Sequence, residues 1–142
     1  MLGREAIAAL IPHQGAMCLL DRVVDWDKDH IVLATSTHRA ADNPLRLAGR
    51  LRAVHLCEYG AQAMAVHGGL SAQAEGRAAQ AGFLVSLRDV KLEVDYVEAL
   101  DGEIYVSARR LLESAGSWQY SFEVKHGERL LASGRAAIIA RG

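Results

Sequence analysis

The stretch VHLCEYGAQAMAVHGG, residues 54–69, limits what this chain can become more than any other feature. Its residues are apolar or small almost all the way round, with Val54, Leu56, Cys57, Gly60, Ala61, Ala63, Met64, Ala65 and Val66 leaving little polar face. A helix apolar around most of its circumference has to be covered on nearly every side. In a chain of 142 residues, a strongly curved antiparallel sheet wrapped around one helix supplies that cover, an α+β arrangement. Gly60 and the alanines allow other groups to approach the helix closely, and Gly68-Gly69 is expected to close it through a left-handed cap.

The remaining segments fit this plan. Residues 4–11, REAIAALI, have helical spacing and stop before Pro12. Residues 17–26 and 30–38 read as two strands joined by the DKD turn. RAADNPLRLAGR is a loop by its Asn-Pro and Gly content, and SAQAEGRAAQAG a polar, small-residue connector. Four strands follow, at 83–97, 103–114, 118–127 and 128–140. The clearest is 118–125, where Trp118, Tyr120, Phe122 and Val124 alternate with Gln119, Ser121, Glu123 and Lys125. Asp101-Gly102 and His126-Gly127 are expected hairpin turns. Residues 1–142 read as one domain, without repeat or linker. A single curved sheet leaves edge strands, so pairing with a second copy as a homodimer is expected.

Composition excludes several function classes. Net charge is −1 and aromatic content 6%, so nothing recruits nucleic acid by field or by stacking. No apolar run is long enough to span a bilayer, and MLGREAIAAL is too short and too charged for a secretory signal. Cys18 and Cys57 make no C-x-x-C pair and read as small core residues. A cytoplasmic protein is expected. There is no G-x-S-x-G elbow and no phosphate-binding Gly-Lys-Ser loop.

Chemistry is concentrated on the buried helix. At about 100° per residue, His55, Glu58 and Gln62 fall in one wedge of roughly 60°, with Tyr59 at its border. A carboxyl group enclosed among apolar neighbours tends to keep its proton, which suits a general acid. The competing reading of Glu58 is an ordinary ion pair with an arginine. Gln62 reads as an orienting hydrogen bonder. His67, beside Gly68-Gly69, is expected to satisfy helix-end carbonyls, and His30 and His126 to sit in turns. His55 with Glu58 supplies too few ligands for a metal, so neither metal nor cofactor is expected.

LIPHQGAMCLLDRVVDWD, followed by a loop and CEYGAQAMA, resembles the 3-hydroxyacyl-acyl-carrier-protein dehydratases of the hotdog fold. The resemblance covers nearly the whole chain in order, through the PH…LLDRV opening and the helix signature of Glu followed by Ala-Gln. It implies that Glu58 is the catalytic acid, that Gln62 is the family's helix glutamine, and that His13 lies near the acyl entrance. It also implies that Asp21 and Arg22 form a structural pair. The family's catalytic histidine belongs to a Gly-His-Phe-Pro motif before the helix. Here that loop reads DNPLRLAGRLRAV, with no histidine between His38 and His55. The second proton-transfer group then has to be His13, His55 or His38, in that order of expectation.

The expected site is therefore Glu58 and His13 as catalytic groups, with Gln62, His55 and Tyr59 binding substrate. Main-chain N–H groups around Arg52–His55 are expected to polarise the thioester carbonyl. Arg46, Arg50 and Arg52 crowd the preceding loop and suit docking of phosphopantetheine or an acidic carrier protein. The implied function is dehydration of 3-hydroxyacyl-carrier protein to the trans-2-enoyl thioester in fatty-acid or polyketide-like synthesis. The implied substrate carrier is acyl carrier protein or CoA. The alternatives are an acyl thioesterase, or a non-catalytic subunit that stabilises a second hotdog protein as a heteromer.

Overall fold

The computed structural model describes residues 2–12, 14–77 and 82–140. The elements run α1 (Arg4–Ala8), β1 (Arg22–Trp26), β2 (His30–Thr35), α2 (Leu56–Ala74), β3 (Gly82–Leu92), β4 (Ile104–Ser114), β5 (Ser117–His126) and β6 (Arg129–Ala140). The strands form an antiparallel sheet in the order β1-β2-β4-β5-β6-β3, and α2 packs on β2, β4, β5 and β6. This is the hotdog architecture that the sequence led us to expect. Along β5, Tyr120, Phe122 and Val124 are buried against α2 while Glu123 and Lys125 face out. That alternation fixes which side of the strand faces the helix.

Close approach of the helix depends on a glycine. A Cβ built on Gly60 would lie 2.6 Å from Phe122 Cδ2, so the Phe122 ring occupies the space a side chain would need. Gly68-Gly69, however, does not end α2, which continues to Ala74. The true stop is Gly76 at φ +69°, where Arg77 N–H donates to Ala72 O at 2.8 Å and Gly76 N–H to Gln73 O at 3.1 Å. Those two bonds make a Schellman cap. Gly69 instead accommodates Leu10, whose Cδ2 would be 3.1 Å from an added Cβ.

Three further expectations need correction. Asp101-Gly102 is no hairpin turn, because the strands on either side of it, β3 and β4, are not partners. The hairpin turns around β5 are at Gly116 and Gly127, both with positive φ. α1 is shorter than expected, five residues ending at Ala8. Asp21 and Arg22 do not pair with each other: Asp21 meets Arg4 at 3.0 Å, and Arg22 meets Glu103 at 2.6 Å.

Sheet order also leaves β3 as an edge. Leu84, Val85, Leu87, Val90 and Leu92 are all substantially exposed along it. A long, apolar, unpaired edge is a surface that soluble proteins ordinarily cover.

Candidate active site

Glu58 stands in the first turn of α2, half-buried, with Oε2 shut off from solvent. It borders a cavity of about 530 Å³ that runs beside the helix. Ala61, Ala65, Gly68 and Ala72 line the same cavity. Spaced alternately by three and four residues, they form one strip of the helix surface beginning at Glu58. From Glu58 to Ala72 is fourteen residues, a rise of about 21 Å. Small side chains along this strip make the slot, and the small-residue content of the sequence, read there as room for close packing, serves it. Ile11, Pro12, Leu84, Trp118 and Ile138 also line it.

The expected partners of Glu58 are placed unequally. His13 lies outside the described residues. Pro12, directly before it, lines the cavity, and Gln14 is held by hydrogen bonds from its Nε2 to Ala8 O and Ile11 O. Gln62 is fully buried and is not among the cavity-lining residues. Its Oε1 accepts from Leu19 N–H at 2.9 Å and its Nε2 donates to Met17 O at 2.7 Å. Both ends of the amide thus clamp the strand-entry segment 17–19 onto α2.

Tyr59 is likewise buried away from the cavity, its hydroxyl bonded to Thr37 Oγ1 at 2.9 Å and receiving Asn43 Nδ2 at 3.0 Å. Burial raises its phenol above the usual value of 10. His55 ends a 3-10 turn, Ala53–His55, that leads into α2; it is half-buried and also outside the lining. His38 is also outside the lining, buried with Nε2 2.9 Å from Leu100 O.

The arginines of the loop are also partly committed. Arg50 pairs with Glu98 at 2.8 Å and stacks over Tyr96 at 3.8 Å. Arg46 donates to Arg39 O at 3.1 Å. Arg52 is exposed, with no ion pair among the described residues. Two of the four expected carbonyl-polarising donors are spent: Ala53 N–H donates to Asp95 O at 2.9 Å and His55 N–H to Arg52 O at 3.1 Å.

His67 is the residue whose placement departs furthest from expectation. It does not cap a helix end but sits within α2, fully buried. Its Nε2 faces Asp27 O at 2.9 Å and its Nδ1 faces the Tyr120 hydroxyl at 2.7 Å. A carbonyl only accepts, so Nε2 carries the hydrogen; in the neutral ring Nδ1 then accepts from Tyr120. Burial keeps the imidazole below its usual 6.5 and pushes the Tyr120 phenol up to about 12, so both groups hold these states at neutral pH. Tyr120 and Arg110 line the cavity, and neither was singled out from sequence as a site residue. The one signal in the sequence was the place of Tyr120 in the apolar alternation of 118–125.

Among the described residues, no helix is long and apolar enough to cross a membrane. The fold is similar to that of the dehydratase heterocomplex ApeI:P from Xenorhabdus doucetiae, with TM-score 0.86, 20% identity, and coverage of 96% of this chain and 91% of that one. It is similar to AziG of S. sahachiroi at TM-score 0.67 and 17% identity, covering 92% and 97%. A hypothetical thioesterase with coenzyme A from Streptococcus pneumoniae TIGR4 gives TM-score 0.58 and 11% identity, covering 85% of each chain. None of the curated proteins matches in sequence. Residues 5–141 match the family described as ApeP-like, ApeP dehydratase. The chain therefore belongs to the ApeP-like dehydratase family.

Proposed function

We propose that this protein binds acyl thioesters, carried on acyl carrier protein or CoA, and removes water from 3-hydroxyacyl groups to give the trans-2-enoyl thioester. The observation that carries this reading is Glu58 at one end of an elongated slot lined largely by alanine, glycine, leucine and isoleucine. Such a slot suits an acyl chain, and a carboxyl at its end suits proton transfer near the thioester. A base removes the proton at C2, the C3–O bond breaks, and the Glu58 carboxyl delivers a proton to the departing hydroxyl, which leaves as water. His13 is our choice for the base, since the residue before it borders the slot. Gln62 and Tyr59 act in this scheme by holding segments 17–19 and 37–43 against α2. Exposed Arg52 remains the best placed of the three loop arginines to meet a phosphate or an acidic carrier.

The β3 edge supports a dimeric assembly. Gly82 and Leu84 of β3 line the slot, so a partner strand added there would close it. The partner is a second copy in the simplest case. The heterocomplex formed by the similar ApeI:P proteins favours a second reading, in which this chain is the non-catalytic or less active subunit beside another hotdog protein. We further propose a cytoplasmic setting, in which Cys18 and Cys57 would stay free thiols.

Incubating pure protein with a 3-hydroxyacyl carrier conjugate separates these readings. Enoyl absorbance supports dehydration, free thiol indicates a thioesterase, and neither product with or without an added hotdog partner leaves binding alone. Glu58→Gln keeps the shape and removes the acid, and is expected to lower turnover by roughly 10²–10⁴-fold. An unchanged rate removes Glu58 from the reaction.

A further inference from the structure

Arg110 is a charged residue in an unusual position. It lies on the α2-facing side of β4, in the same alternation as buried Ile104, Val106 and Ala108, and its side chain is only 12% exposed. It is directly opposite Tyr120 in the β4–β5 register. Both side chains line the slot, at the level of His67. His67 is nine residues beyond Glu58 on α2, so this pair lies about 14 Å along the helix from the reacting end.

The hydrogen bonds at this position are unevenly used. Arg110 Nη2 donates to Lys28 O at 2.6 Å, whereas Nη1 is 3.8 Å from Glu113, too long for a hydrogen bond. A guanidinium has five N–H donors, so several have no hydrogen-bonded partner among the described residues. Tyr120 gives its only proton to His67, whose other nitrogen is fixed on Asp27 O. Its oxygen is left able to accept. About 14 Å from Glu58, in a stretch of the slot lined mainly by small and apolar residues, Arg110 therefore offers donors and Tyr120 an acceptor, side by side.

Resting on the thioester-binding reading above, we propose that this slot selects acyl chains whose far end carries a hydrogen-bonding oxygen, a hydroxyl or a carboxylate, bound by Arg110 and Tyr120. A chain ending in methyl would leave the guanidinium desolvated without a replacement partner, which disfavours it. A hydroxyl accepts from Arg110 and donates to Tyr120; a carboxylate takes two donors from Arg110.

The test is a binding measurement, independent of turnover. Pantetheine amides of equal chain length, ending in methyl, hydroxyl or carboxylate, are titrated against the full-length protein by calorimetry. At least one oxygen-ended ligand is expected to bind roughly tenfold more tightly than the methyl-ended one. Arg110→Met is expected to bring that ratio to about unity, and Tyr120→Phe to shrink the hydroxyl preference. Ratios are the readout because loosening of the β1–β2 turn, which Arg110 also holds, would weaken all ligands together. Equal or tighter binding of the methyl-ended chain overturns the proposal, as does an unchanged ratio in Arg110→Met. Failure of all three to bind overturns it along with the thioester-binding reading. A preserved preference without any dehydration supports the subsite and removes only the proposed chemistry.

Discussion

Replacing Gln62 with leucine should destabilise the protein through two main-chain groups rather than through lost volume. Leucine occupies about the same space, so no large cavity opens. What disappears is the pair of bonds to Leu19 N–H and Met17 O. Leu19 is fully buried, so its N–H is left without a partner at a cost of about 1–3 kcal/mol. Met17 is half-buried and water can reach its surroundings, so its carbonyl adds about 1 kcal/mol. Together the loss is about 2–4 kcal/mol. With about 2.1 cal/mol/K of unfolding entropy per residue, a chain of this length has about 0.3 kcal/mol/K, so Tm should fall by about 7–13 °C. Differential scanning calorimetry at pH 7.5 measures this. Gln62→Glu keeps an acceptor for Leu19 but sets a second oxygen against Met17 O; it should be worse at neutral pH and partly recover in acid, where the protonated carboxyl can donate. A Tm within about 2 °C of the parent, together with a raised KM for acyl thioesters, would refute the clamp and assign Gln62 to substrate instead.

Four further outcomes follow from the structure. Gly60→Ala must displace Phe122 and should cost about 1–3 kcal/mol. Gly68→Ala meets nothing within 4 Å and should gain about 0.5–1 kcal/mol from helix propensity; urea unfolding compares the two. Burial holds the imidazoles of His38 and His67 below their usual 6.5, so below that pH the unfolded chain binds more protons than the folded one. Stability should therefore fall as pH drops below about 6.5, by up to about 1.4 kcal/mol per unit for each imidazole, and be insensitive to them above about pH 7.5. Tm measured between about pH 7.5 and 5.5 should show a shallower slope in His67→Gln. Ala65→Leu fills the middle of the slot and should weaken long-chain acyl binding about tenfold with Tm nearly unchanged; intact binding would place the acyl chain elsewhere.

Local patterning carried most of the architecture. The apolar girth of residues 54–69 required a covered helix, and the alternation at 118–125 assigned the inward face of β5. Both follow from periodicities of 3.6 and 2 that a chain shows before it folds. The position of Glu58 on that helix was equally legible. Helix ends were not, because glycine marks either a left-handed cap or a place where a neighbour leaves no room for Cβ. Gly60 and Gly69 are of the second kind and Gly76 of the first, and only the positions of Phe122 and Leu10 distinguish them.

The sequence by itself determined that one carboxylate would ride on a buried helix inside a curved sheet. Tertiary structure alone decided what surrounds it: that Gln62 turns to Met17 and Leu19, that His38 turns to Leu100, and that β3 stands at the edge beside β6. It also brought Tyr120 and Asp27, from separate elements, to the two nitrogens of His67, and set Arg110 opposite Tyr120 on the slot. Such meetings depend on strand order, register and curvature, which are set by contacts summed over the whole core. A short window of residues fixes which face is apolar; it does not fix what that face will meet.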